Sequence, residues 1–530
     1  MKTDASGLVT GAAVQELWSF MPTDFLKYLD YLNNASLTHR FMVDGSPTLY
    51  HLDLPPSGGG SGNGVVDRGE RAVAVFGLGK GGRSYYALDV SDPFTPTLRW
   101  ALVPDEAAAD SLLGKFGFST SPPALGRVVD ADGKLRDAVF LGGGFSTSKV
   151  EDNFLNAASK PTPLGRSVMA LDVYTGNVLA SADLSAASGG GASVGPVGAG
   201  VVPFEFILNS GLAQRAYFLD YRGGLWAWGS NALFKPPASS IPSPYENFRV
   251  DSSKVSDWTL RKVYQDDGGN NARYTTLPAP FRLGSFPGAA FDLKHAVPAA
   301  VGIAMVSGDR NNPLDRSYST DKPSRHRLTV VFDRQDSSLF DLDLTGITSS
   351  TNQLKNFTDN SVSGTSSPPC VITPGCDDYY LAPKTGDTAF GYYVNFPEPS
   401  GGFVPKGINP PLVVAGSLFY AIFTPTASDI CSGGAGNTQS WLIQDVLKPL
   451  VTDTRTTVSA RSGLSFTWPG AASDFIPMGT RGVLQGGMAG GTDNMAGGTE
   501  TGSQSGAQLV TLKGSPAQSF VRPRVWRTVH

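Results

Sequence analysis

Charge is scarce in this chain: Asp, Glu, Lys and Arg make up 17% of its 530 residues, against about 25% in an average globular protein. The net charge is −4, and no run of Lys or Arg stands out. A nucleic-acid groove needs a basic stripe to neutralise phosphates, so no nucleic-acid partner is expected. Long apolar runs are missing too. None approaches the roughly 18 residues that cross a bilayer as a helix, so direct membrane insertion is not expected. Histidine is rare: His39, His51, His295, His326 and His530 are scattered, with no i, i+4 metal pair and no His–Cys cluster. No nucleophile stands near a base, so no Ser-His-Asp set can be assembled. Cysteine occurs three times, at Cys370, Cys376 and Cys431. Cys370 and Cys376 flank a Pro-Gly turn that can bring them within bonding reach, as a disulfide suited to an exported protein; free buried thiols are the other reading. Cys431 has no assignable partner.

Glycine and proline are abundant instead, with 63 and 38 residues. That balance fits many short strands joined by tight turns. An internal repeat agrees with it. Gly82-Arg83-Ser84-Tyr85-Tyr86-Ala87-Leu88-Asp89-Val90 returns as Gly165-Arg166-Ser167-Val168-Met169-Ala170-Leu171-Asp172-Val173, identical at seven of nine positions. A fainter third copy begins at Tyr217-Phe218-Leu219-Asp220. Repetition at a spacing of tens of residues is the signature of blades or solenoid turns. The expected fold is all-β, a modified β-propeller of about seven blades, with long loop insertions.

The pass along the chain gives a short helical segment between Val14 and Asn34, capped by Thr23 or Asp24, then a lead-in strand after Pro47. Residues 1–70 are expected to pack on a propeller formed by 71–530. Apolar strands follow in the order Ala72–Gly77, Tyr85–Val90, Thr97–Trp100, then Asp137–Gly142, Val168–Val173, Val178–Ala180, then Arg215–Leu219 and Leu225–Trp228. Strands this apolar are expected to be buried on both faces between stacked blades. Residues 349–378 and 486–506 read as flexible loops, and Arg524–Thr528 as a terminal strand that closes the ring.

Two motifs have competing readings. Gly77–Gly82 is glycine-rich like a phosphate cradle, but a strand follows it where a helix is required, so it reads as an inter-strand turn. Asp130, Asp132 and Asp137 offer carboxylates for calcium, while the Asp132-Gly133 pair equally supplies a hairpin turn. Met478, Met488 and Met495 offer thioether sulfur that could hold a soft ion such as copper, although methionines in a Gly-rich segment are more often plain mobile side chains.

The unit Ala170-Leu171-Asp172-Val173-Tyr174-Thr175-Gly176 resembles the blade motif of quinoprotein-type propellers. Four blocks carry a wider resemblance: Glu16–Pro22 with His39–Pro47; Gly77–Arg83 with Tyr86–Val90; Gly391–Val394 with Phe423–Pro425, Cys431–Gly434 and Ser440–Leu442; and Val525–Arg527. In that order they are similar to the PilY-type family of type IV pilus tip-associated adhesins, in the C-terminal propeller. The opening Met1–Ser6 lacks the apolar core of a secretory signal, which leaves a cytosolic protein or an internal portion of a longer one; the resemblance implies the second, a portion of a longer, exported protein. It implies a non-enzymatic role: priming type IV pilus assembly with minor pilins and the assembly machinery, first in the periplasm and then at the extracellular pilus tip, in support of adhesion and motility. Many family members carry an Asp-x-Asp-x-Asp calcium loop before the strand matching Ala216–Leu219. Here those positions fall on Phe206, Leu208, Ser210 and Gln214, none a carboxylate, so calcium is expected to be absent from this loop. The rival readings are a quinone-dependent dehydrogenase, from which the lack of adjacent cysteines departs, and a periplasmic assembly scaffold unrelated to pili.

Overall fold

The computed structural model describes residues 16–29, 41–53, 64–104, 111, 113–145, 164–187, 194–205, 211–230, 254–266, 273–283, 300–310, 313–314, 325–334, 354–356, 391–397, 403–414, 416–426, 436–443, 446, 461–469, 474–478, 482–486 and 507–511. Short strands dominate them. β1 (Thr48–Leu52), β2 (Arg71–Gly77), β3 (Tyr85–Asp89) and β4 (Thr97–Leu102) pair antiparallel, in chain order, as the first sheet. β5 (Ala124–Val129), β6 (Leu135–Gly142), β7 (Ser167–Asp172) and β8 (Val178–Asp183) repeat that plan. So do β9 (Val201–Phe204), β10 (Arg215–Leu219), β11 (Gly224–Ser230) and β12 (Trp258–Gln265).

The fourth sheet departs from it. β13 (Ala279–Leu283), β14 (Ala300–Val306), β15 (Arg327–Arg334), β16 (Leu354–Asn356) and β17 (Gly391–Asn395) lie in the order β13-β14-β15-β17-β16, with β16 parallel to β17. β18 (Leu412–Val414), β19 (Ser417–Pro425), β20 (Gly436–Ile443) and β21 (Arg461–Pro469) return to the four-stranded plan. β22 (Ile476–Met478), β23 (Gly482–Gly486) and β24 (Ala507–Thr511) form a three-stranded sheet.

Alternation along the strands explains how the sheets stack. Successive side chains of a strand point to opposite faces. In β6 and β7, Val139, Leu141, Met169 and Leu171 pack with Val73, Val75 and Tyr85 of the first sheet. Their neighbours Ala138, Phe140, Val168 and Ala170 pack with Phe218, Trp226 and Trp228 of the third. Tyr217 and Leu219 turn the other way, onto Val301, Ile303 and Met305 of the fourth sheet. Val306, Leu328 and Val330 of that sheet meet Leu418, Tyr420 and Ile422 of the fifth. The second, third and fourth sheets therefore each have one apolar face for the sheet before and one for the sheet after, which is the blade stacking of a propeller. The all-β, propeller-like expectation holds, and six sheets form among the described residues.

A β-bulge recurs at the same place in the repeat. The β3–β4 register shifts between Ala87 and Leu88, and the β7–β8 register shifts between Ala170 and Leu171, the matching residues of the two copies. β11–β12 and β20–β21 also shift, again between the third and fourth strands of their sheets. Bulges increase local twist, so the repeat encodes the curl of a blade's outer edge as well as its strand.

Three expectations change. The third copy of the repeat, at Tyr217, lies on the second strand of its sheet, whereas β3 and β7 are third strands. Its likeness comes from the Asp-turn that ends it: Asp220 Oδ1 accepts the Arg222 N–H, as Asp172 Oδ1 accepts those of Tyr174 and Thr175. The helical segment is, in its described part, a 3-10 helix at Thr23–Tyr28 after Pro22, without a side-chain cap. Within the stretch expected to be loop from 349, Leu354–Asn356 forms β16. Cys370, Cys376, Cys431, Met488, Met495 and the Trp526 strand lie outside the described residues.

Candidate functional site

The first two resemblance blocks, far apart in sequence, dock onto one another at the first sheet. Phe25, Leu78 and Tyr86 are buried together, with Phe20, Met42 and Phe76 packed around them. Phe20 stands edge-on to Phe76 and Tyr86 at 6.0 and 5.5 Å between ring centres. Asp24, read from the sequence as a possible cap, instead accepts hydrogen bonds from the Ser84 hydroxyl at 3.0 Å and from the Tyr86 hydroxyl. Burial and that contact with Asp24 push the Tyr86 phenol above its ordinary pKa.

The glycine turn between β2 and β3 is the other half of the contact. Asp44 N–H donates to the Leu78 carbonyl at 3.1 Å, and Trp18 Nε1–H donates to the Pro93 carbonyl at 3.0 Å. A Cβ on Gly81 would meet the Met42 carbonyl, and Gly79, at φ +58°, would press against the Asp44 backbone. The glycines admit a crossing chain rather than a phosphate. Leu17, Trp18, Met21, Leu26, Leu29, Phe41 and Val43 remain exposed on the docked segment.

The predicted carboxylates are not brought together as one ligand set. Asp130 lies in the β5–β6 hairpin turn, where Oδ1 accepts the N–H groups of Asp132 and Lys134 and Oδ2 takes Arg136 Nε at 2.7 Å. The Arg136 contact leads in holding the Asp130 carboxyl below its ordinary pKa. Asp137 faces elsewhere, accepting from Arg127 Nε at 2.8 Å and Tyr50 OH at 2.6 Å. Asp132 is exposed. In the loop expected to have lost calcium, Phe206, Leu208 and Ser210 lie outside the described residues; Gln214 is buried, and its N–H donates to the Phe204 carbonyl. Met478 ends β22.

Two features escaped sequence reading. The first is a buried ionic network between the third and fourth sheets. Asp333 Oδ2 accepts from Arg215 at 3.0 Å and Tyr217 OH at 2.8 Å, while Oδ1 accepts from Arg261 at 2.6 Å. Burial alone would raise its pKa, but Arg261 and Arg215 hold the carboxyl below the usual range. Asp220 is the contrasting case: burial raises its pKa, although Trp226 Nε1–H donates to it at 2.8 Å and Lys262 stands near. Nearby, Asp266 pairs with Arg327 and accepts from Tyr274 OH, and Asp309 pairs with Arg273. No local pattern announces such long-range pairs. The second feature is a group formed by His51, Asp53 and Glu70. A search for helical i, i+4 spacing passes over it, because His51 and Asp53 are a strand period apart and Glu70 joins them only through the β1–β2 register.

Comparison with known proteins places these blocks in context. No protein-family model matches the chain. It is 27% identical over 230 residues, 42% of its length, to a type IV pilus biogenesis factor PilY1 homolog of Xylella fastidiosa. It is 23% identical over 330 residues, 60% of its length, to the type IV pilus biogenesis factor PilY1 of Pseudomonas aeruginosa. These matches cover 15% and 24% of those curated proteins, so the chain spans less than a quarter of their length. The solved C-terminal domain of Pseudomonas aeruginosa PilY1 overlays with a TM-score of 0.47 at 18% identity, covering 83% of this chain and 75% of that one. The curated relatives support the PilY-type resemblance read from the four blocks.

Proposed function

We propose that this chain is a type IV pilus biogenesis protein whose first sheet, with its docked N-terminal segment, is the partner-binding face. The observation that carries this reading is the docking of residues 16–29 and 41–47 on the first sheet around Leu78 and Tyr86, which leaves seven large apolar side chains of that segment exposed. Loops and segments held on a rigid scaffold are where binding residues concentrate. The similarity to PilY1 proteins supplies the link to pili.

In this reading the protein is exported, primes pilus assembly with minor pilins in the periplasm, stays at the tip, and supports adhesion and motility. Its work is interaction rather than chemistry. Deleting the gene together with any paralogues should reduce surface pili without depleting the pool of major pilin. Complementation with Leu17→Ser/Met21→Ser should fail to restore them, although exposed substitutions of this kind change stability by only about 0.5 kcal/mol or less. Normal pili, adhesion and motility in the deletion strain would refute the proposal and favour a scaffold unrelated to pili. Full rescue by the double variant would move the binding face elsewhere.

A further inference from the structure

Strand geometry gathers three metal-ligating side chains where β1 meets β2. His51 lies in β1 and Asp53 directly follows it, two residues on, so both project to the same side. The register pairs Leu52 with Arg71, so Glu70, just before β2, comes level with Asp53, just after β1. Cross-strand neighbours have Cβ atoms about 4.5–5.5 Å apart, close enough for the side chains to converge. His51 Nε2 stands 3.3 Å from Glu70 Oε2, and one ligand atom from each of the three residues lies within 4.8 Å of the others.

The group is built rather than casual. The His51 and Glu70 side chains are 6% and 4% exposed, and Asp53 is buried. Backbone donors aim both carboxylates: Asp67 N–H binds Glu70 Oε2 and Gly64 N–H binds Asp53 Oδ2, each at 2.8 Å. Two carboxylates sharing a buried site favour positive charge between them.

The donor set selects the ion. Calcium takes six to eight oxygens, whereas one imidazole and two carboxylates suit zinc and its first-row neighbours. Zinc bonds of about 2.0–2.2 Å in a tetrahedron hold ligand atoms roughly 3.3–3.6 Å apart. A shift of roughly an ångström would draw this group onto such an ion.

We propose that His51, Asp53 and Glu70 bind one zinc-class divalent cation, with water as the fourth ligand, and that the ion staples edge strand β1 to β2. The site shares no residue with the docked segment, so it stands whatever face the pilus partner uses.

The test uses the full chain, stripped with chelator and titrated with zinc chloride by calorimetry. One equivalent should bind and raise the thermal midpoint, while calcium and magnesium should not. Outer-shell changes alone cost about 10–100-fold in metal affinity, so His51→Gln, Asp53→Asn and Glu70→Gln should each cost at least about 100-fold. Asp132→Asn, a distant and exposed carboxylate, should cost nothing. Copper(II) loaded into the wild type should give an electron paramagnetic resonance spectrum of one imidazole nitrogen, a readout that needs no variant. The proposal is overturned by a wild type that binds no zinc, by variants that bind it equally well, or by a copper spectrum with no nitrogen or several.

Discussion

Strand β3 carries Tyr85 and Tyr86 where β7 carries Val168 and Met169, and these are the only differences between the two copies of the repeat. Their surroundings account for both. Met169 faces the first sheet and Val168 the third, so each fills an apolar seam between blades. On β3, Tyr85 also packs toward the second sheet and ends in a hydrogen bond to the Ser121 carbonyl. Tyr86 faces the docked N-terminal segment instead, and its hydroxyl reaches Asp24 and Thr23. The identical residues make the strand, the bulge and the turn that both copies share. The variable ones meet whatever lies across the face. The contrast is between interior seams, sealed by a sheet on each side, and the first sheet's outer face, sealed by a segment.

Breaking an interior seam should cost most. Asp333→Asn, between the third and fourth sheets, leaves Arg215 buried without its carboxylate and should cost about 3–5 kcal/mol, read by denaturant unfolding. The pH dependence has a definite sign. Asp333 is held below the usual carboxyl range, so its contribution is fully present above the unfolded value of about 3.9. It is lost as pH falls through the lower folded value. The gap between wild type and Asp333→Asn should therefore stay constant at neutral pH and narrow only in strong acid. A constant gap down to the lowest pH that keeps the fold would reassign the effect to packing.

Met169→Ala sharpens the same point with an apolar residue. It empties a site buried between the first and second sheets and should cost about 2–5 kcal/mol, seen as a lower thermal midpoint. Tyr86→Phe removes one hydroxyl from the segment-covered face. It should cost about 0.5–1.5 kcal/mol and act locally, with faster hydrogen exchange at Phe20–Tyr28 than in β7. Equal protection loss in both places would erase the distinction between seam and cover.

The smallest effect is expected from calcium. Millimolar calcium should leave the thermal midpoint almost unmoved, since the positions Phe206, Leu208, Ser210 and Gln214 offer no carboxylate. A tight specific site would add about 2.7 kcal/mol at a hundred times its dissociation constant. A chelator-sensitive rise of several degrees would make Asp130, Asp132 and Asp137 the first residues to substitute.

Much of the fold was legible because alternation is local. Ala138 to Leu141 and Val168 to Leu171 are apolar at every position, and only a strand sandwiched between two sheets buries both sets. The out-of-step third copy was misleading for the same reason: an Asp-turn looks alike at the end of a second or a third strand. Histidine spacing misled differently. His51 and Asp53 are two apart, a strand period, and Glu70 joins them only once β1 and β2 are in register.

Local pattern alone was enough to specify the strands, their twin apolar faces and the turns that end them. All of these depend on residues within one or two turns of each other. The partners came from long-range packing. Asp333 meets Arg215 across 118 residues of chain, Asp24 meets Ser84 across 60, and Asp130 and Asp137 part company within a single hairpin. A side chain's face follows from its own strand, while the identity of what it touches follows from register and from the order in which the sheets stack.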